Sequence, residues 1–183
     1  MSPARFPDGT ERRGGVEIRA AGGRKLEGYA AVFGVPAQIG GFVETIRAGA
    51  FRASLLVPGR EVLALVDHDP TRLLARTGSG SLRLAEDGRG LHFSIDVPPT
   101  QLGNDMLALA ERRDLGGMSF GFRVMDEAWP KADQRELRAV ELVEISIVQA
   151  FPAYSQTEVS ARARQIGRAA AESRIRRLYL ESL

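Results

Sequence analysis

The stretch Gly117-Met118-Ser119-Phe120-Gly121-Phe122-Arg123-Val124-Met125 decides the architecture. Met118, Phe120, Phe122 and Val124 recur at every second position with Ser119, Gly121 and Arg123 between them, the period of a β-strand with one apolar face. Its first five residues also match G-x-S-x-G, the nucleophile elbow of α/β-hydrolases, in which the serine sits on a sharp turn from strand into helix. Here the residues after Ser119 alternate like a strand. The triad of that fold also runs serine, acid, histidine, whereas both histidines of this chain, His68 and His92, precede Ser119. Chain order therefore excludes an α/β-hydrolase. It leaves nucleophilic serine chemistry open, because the same roles recur on unrelated folds in other orders.

Working outward, Leu137 to Val148 gives a further strand, ended by Phe151-Pro152. On the other side, Thr100 can cap a helix running to about Arg113, with Leu102, Met106, Leu109 and Ala110 at helical spacing. Strands are predicted over Glu61 to Val66, Ser81 to Leu84 and Leu91 to Val97. A hairpin of Val16 to Ala20 and Leu26 to Phe33 turns at Gly22-Gly23, and Ala48 to Leu56 suits a short helix. Residues 1 to 15, rich in Pro, Gly and Arg without an apolar period, read as a flexible leader, so the domain is expected to span 16 to 159. Residues 160 to 183 have a helical apolar stripe of Ile166, Ala169, Ala170, Ile175, Leu178 and Tyr179, with Arg162, Arg164, Arg168, Arg174, Arg176 and Arg177 around it. This is a basic amphipathic tail, suited either to packing on the domain or to docking on a partner. Many strands with a mid-chain and a C-terminal helix point to an α+β, mainly antiparallel β-barrel domain rather than βαβ units.

Composition removes several classes of function. The 183 residues suit one compact domain, and 44% hydrophobic with 26% charged residues is ordinary for a globular chain. There is no cysteine, which excludes disulfide frameworks, thiol catalysis and cysteine-ligated metal. A net charge of +2 argues against a dedicated duplex-DNA binder, and the few aromatics are not interleaved with the arginines as a single-strand binder would need. No apolar signal region and no run of 18 apolar residues occurs, so a cytoplasmic protein with no membrane partner is expected.

A serine hydroxyl is a weak nucleophile until a base takes its proton, and a histidine base must here be His68 or His92. His68 is the better candidate, because it ends the apolar strand Val62-Leu63-Ala64-Leu65-Val66, where a rigid element can aim its ring. His92 falls mid-strand on the polar face. Either could instead be a solvated imidazole. Asp67-His68-Asp69 resembles a metal-ligand cluster, but neighbours on an extended chain point to opposite faces. An ionised carboxylate can orient the imidazole, and Glu144 is the candidate. In Val143-Glu144-Ile145-Ser146-Ile147-Val148 the core face takes Val143, Ile145 and Ile147, leaving Glu144 and Ser146 together on the other side; the alternative is an exposed strand carboxylate.

Four motifs in order carry a family resemblance: Leu26-Glu27-Gly28-Tyr29-Ala30-Ala31-Val32-Phe33-Gly34; the E-x-I-x-x-G-A-F stretch from Glu44 to Gly49-Ala50-Phe51; His68 after an apolar strand; and Gly117-Met118-Ser119-Phe120-Gly121-Phe122. Glu144-Ile145-Ser146-Ile147-Val148, followed by Pro152-Ala153-Tyr154, adds a fifth. From about Leu26 to Val159 the chain resembles the tailed-phage prohead maturation serine proteases. The resemblance implies a fold similar to herpesvirus assemblin and a serine endopeptidase that cleaves capsid and scaffold segments inside the immature phage head. It makes Ser119 the nucleophile and His68 the general base. The assemblin third member is a histidine after the serine; this chain has none there, which leaves Glu144 for that role. Oxyanion donors would be backbone N–H groups or an arginine such as Arg112, Arg113 or Arg138. The resemblance implies the major capsid protein and its scaffold segment as substrates, with self-cleavage and homo-oligomerisation as further options, and no metal or cofactor. The competing class is a catalytically silent scaffold or head-assembly protein that binds capsid subunits through the terminal helix.

Overall fold

The protein is described from a computed structural model that covers residues 6, 8 to 16 and 18 to 149. Its backbone is a long antiparallel hairpin of β10 (Gly117–Lys131) and β11 (Gln134–Val148). The free edge of β10 takes β1 (Glu11–Val16), antiparallel. The far edge of β11 is shared by two shorter strands, both parallel to it. β5 (Phe42–Ile46) pairs with residues 134 to 137, and β6 (Leu63–Val66) with residues 144 to 147. β4 (Ala37–Ile39) extends the sheet beyond β5, and β7 (Asp69–Arg76) extends it beyond β6, both antiparallel. A second, antiparallel sheet has the order β2-β3-β9-β8, from β2 (Ile18–Ala20), β3 (Lys25–Val32), β8 (Leu82–Glu86) and β9 (Gly90–Asp96).

Among the described residues, two sheets and two helices make a strand-dominated α+β domain, and the expected barrel does not close. The mixed sheet ends at β1 and β4, and the parallel pairing of β5 and β6 with β11 departs from the antiparallel expectation. The helices are α1 (Arg52–Leu55) and α2 (Gln101–Arg112). Thr100 caps α2 as its position suggested, its Oγ1 accepting from the Gly103 N–H at 3.2 Å. Arg113, left-handed at φ +61°, ends it. The expected C-terminal helix and the Pro152-Ala153-Tyr154 motif lie outside the described residues.

The core follows the period-two reading of β10. Met118, Phe120 and Phe122 are buried, with the Phe120 ring 5.1 Å from Phe122 and 5.5 Å from Phe51. On β11 the reading needs one correction. Gly121 pairs with Glu144 but Phe122 pairs with Leu142, so Val143 is the extra residue of a β-bulge. The bulge changes the parity of the strand. Leu142, Ile145 and Ile147 form the core face, and Val143 is only half-buried.

The second correction concerns the leader. Residues 11 to 15, expected to be flexible, belong to β1, and a buried ion cluster holds that strand down. Arg135, its side chain without exposed surface, donates to Glu11 at 2.6 and 3.0 Å, to Glu44 at 2.9 Å and to Glu127 at 2.6 Å. Arg13 donates from Nη2 to Glu11 at 2.7 Å and to Glu44 at 2.8 Å, and its Nε bonds the other Glu44 oxygen. Burial alone would raise the Glu11 carboxyl, but the hydrogen bond from Arg135 and the charges of Arg13 and Arg135 outweigh it and hold that carboxyl below its ordinary range. Burial likewise works to lower Arg135, and its carboxylate partners, Glu11 first, push it the other way and raise it overall. Glu44, the first residue of the E-x-I-x-x-G-A-F stretch, is thus a buried counter-ion, while Ala50 and Phe51 of the same motif are core.

Candidate active site

His68 is held by an unusual turn. Val66 pairs with Asp69 across the β6–β7 hairpin, which leaves Asp67 and His68 as a two-residue loop, and both have positive φ, +53° and +59°. That is the backbone a tight hairpin of the I′ class demands, usually supplied by Asn and Gly. Two non-glycine residues there cost roughly 1 to 3 kcal/mol each, so surrounding contacts must fix the turn. They do so from β11. The Asp67 N–H donates to the Ile147 carbonyl at 2.8 Å and the His68 N–H to Ser146 Oγ at 2.8 Å. Asp67 also accepts from the Gln149 N–H at 3.0 Å and from Arg72 at 2.6 Å, and Asp69 accepts from the Thr71 N–H and hydroxyl. The two aspartates are therefore turn fasteners.

The turn brings the His68 ring to Glu144, with Nδ1 2.5 Å from Oε1. An ionised carboxylate only accepts, so Nδ1 carries the proton and the free pair of the neutral ring belongs to Nε2. Both side chains are nearly buried, at 8% and 7% exposure, and neither His68 Nε2 nor Glu144 Oε2 has a hydrogen-bond partner among the described residues. An unpartnered basic nitrogen in a buried site is costly and calls for a functional account.

Ser119 shares that face. It pairs with Ser146 on β11 and with Gly14 on β1, and residues directly opposite one another point to the same side of a sheet. Two residues along β11 from Ser146, Glu144 stands opposite Gly121. Ser119 and His68 do not lie on neighbouring strands: they flank β11, Ser119 from β10 and His68 from the β6 hairpin. The Ser119 hydroxyl, fully buried, donates to the Arg13 carbonyl at 2.7 Å and not to His68. The serine occupies an extended strand, as its alternating neighbours indicated, and no helix follows it.

The glycine two residues after the serine has a steric reason. A Cβ on Gly121 would lie 2.7 Å from Glu144 Oε1 and 2.9 Å from its Cγ, closer than real contacts allow. Gly121→Ala is therefore expected to push the carboxylate off the His68 ring while leaving the core face of β10 intact. A displacement near 1 Å in such a site costs on the order of a hundredfold in rate. Peptidase assays beside a thermal melt check this, the melt moving far less than kcat.

His92 takes no part. It sits in the four-stranded sheet with its ring edge-on to Tyr29, the centroids 5.3 Å apart. Of the arginines suggested as oxyanion donors, Arg112 bonds Asp114 at 2.6 Å and Arg138 bonds Glu136 at 2.8 Å, while the backbone of Arg113 closes α2. Arg12, which was read as leader, reaches the site instead, its Nε 3.5 Å from Glu144 Oε1. Glu11-Arg12-Arg13-Gly14 gave no warning, since its alternation is purely polar and too short to score as a strand.

Compared with known families, residues 15 to 172 match the caudovirus prohead serine proteases. The chain belongs to that family. It is accordingly a serine peptidase of phage head maturation, as the order of its motifs implied. No curated protein and no solved structure matches this prohead protease. Among the described residues no helix is long and apolar enough to cross a membrane.

Proposed function

We propose that this prohead protease is the endopeptidase that trims capsid and scaffold segments in the immature head, with Ser119 as nucleophile, His68 as general base and Glu144 as the carboxylate that orients the ring. One observation carries the reading: His68 Nδ1 is held on Glu144 while Nε2 is left buried and unpartnered on the face that Ser119 shares. Ser119 Oγ attacks the peptide carbonyl as Nε2 accepts its proton. The imidazolium, steadied by Glu144, returns that proton to the leaving amine, and water then hydrolyses the acyl-enzyme.

The test is co-expression with a tailed-phage major capsid protein that carries its scaffold segment, followed by mass spectrometry of the capsid chain. The active protein is expected to yield a shortened capsid chain with one new terminus, and Ser119→Ala to leave it full length. Trimming by Ser119→Ala would overturn the serine mechanism. Glu144→Gln isolates the third role, because the amide keeps the shape but can hold the wrong tautomer of His68. A loss of about 10²- to 10⁴-fold in kcat with little change in KM is expected. Full activity would remove Glu144 from the site.

A further inference from the structure

The nucleophile is covered by the chain's own N-terminal strand, and the manner of covering is that of a peptide ligand. Extended peptides bind proteins by adding a strand to an open sheet edge, with main-chain hydrogen bonds giving affinity and alternate side chains giving specificity. β10 offers such an edge at Ser119, and β1 fills it antiparallel, from Glu11 opposite Phe122 to Gly14 opposite Ser119. It is the outermost strand of its sheet, and most of it precedes residue 15, where the family match begins. The Arg13 carbonyl accepts the Ser119 hydroxyl, so a peptide group lies against the nucleophile. The contact is to the carbonyl oxygen, and the serine proton points to that oxygen rather than to the base, which makes the pose a blocked one. Space beside the serine is tight: a Cβ at position 14 would lie 3.3 Å from Ser119 Cβ and 3.4 Å from the Met118 carbonyl.

We propose that the β10 edge from Met118 to Phe122 is the substrate-binding site, taking extended peptides with glycine across from Ser119, and that β1 holds this place in the free protein and must leave before substrate enters. This rests on Ser119 being the nucleophile, as proposed above. Besides its contacts at the site, the Arg13 carbonyl on Ser119 and Arg12 beside Glu144, the strand is fastened on its reverse face by ion pairs that join Glu11 and Arg13 to Glu44 and Arg135.

The experiment measures covalent labelling of Ser119 by a fluorophosphonate probe in the full-length chain. The wild type is expected to label slowly. Glu11→Gln, which removes a charge from the fastening, should label at least tenfold faster, with faster amide exchange at residues 12 to 14. A synthetic peptide of residues 8 to 16 should slow that labelling again, and the same peptide carrying Gly14→Val should slow it less. Where Glu11→Gln does not fold, wild type in sub-denaturing urea gives the same reading: labelling and β1 amide exchange should rise together. Equal labelling whatever the exchange of β1 would overturn the proposal while leaving Ser119 as nucleophile. Accumulation of chains beginning at Gly14 would also overturn it, since β1 would then be consumed rather than held. Absence of labelling in every folded form would remove Ser119 itself, and this inference with it.

Discussion

Ser119→Ala and His68→Ala are each expected to lower kcat on a capsid-derived peptide by on the order of 10⁴-fold or more, and the double variant by scarcely more than either alone. Nucleophile and base act as one unit, so removing either forfeits nearly the whole of the chemical step. The geometry adds a distinction between them. Ser119 is packed between Gly14 and Ser146, and losing its hydroxyl removes one hydrogen bond, that to the Arg13 carbonyl, so the variant should keep its fold. His68 sits in a strained turn and faces the buried Glu144 carboxylate. Its loss removes that partner and leaves Glu144, among the described residues, with Arg12 at 3.5 Å. His68→Ala should therefore melt lower than Ser119→Ala although both are inactive. Steady-state kinetics with circular dichroism melts on the same preparations separate the two effects, and retained turnover in Ser119→Ala would end the serine assignment.

Arg135→Met should give the largest loss of stability. The side chain is without exposed surface and answers three carboxylates, two of them buried. Removing one partner from a buried ion cluster leaves uncompensated charge, at a cost of roughly 3 to 5 kcal/mol. For a chain of this size that lowers the melting temperature by on the order of 10 °C or more. Acid should act on the same cluster. The folded Glu11 carboxyl titrates below its unfolded value, so its contribution is complete above the usual glutamate range and is lost as pH falls through the lowered folded value. Stability of the wild type measured by urea titration should thus drop below about pH 4.5, and Arg135→Met should show a shallower drop. An unchanged melt in Arg135→Met would mean that methionine packing replaces the cluster without loss.

What could be read from the sequence follows the physics of each signal. β10, β9 and α2 were legible because each has a long apolar period, and α2 also has a capping threonine. β7 was missed because Asp69-Pro70-Thr71-Arg72 opens it and Leu73-Leu74 are adjacent, which breaks alternation. β1 was missed because its buried face is Glu11 and Arg13, and ionic burial leaves no apolar trace. In the site, the pairing of Glu144 with His68 was inferable from strand parity and motif order. The bulge at Val143, the positive φ of Asp67 and His68, and the cover over Ser119 were not, since each depends on partners far along the chain.

Those separations set a clock on the ribosome. His68 meets Glu144 across 76 positions, Ser119 meets Arg13 across 106 and Arg135 meets Glu11 across 124. A nascent chain that has already exposed His68 must wait on the order of 4 to 15 s, at about 5 to 20 residues per second, before Glu144 is even synthesised. Pairing so distant in sequence is also slow to form once the chain is complete. By then β1, made first, is available to cover the serine. Until residue 144 is made, His68 has no Glu144 to pair with, so the proposed site can assemble only late in synthesis.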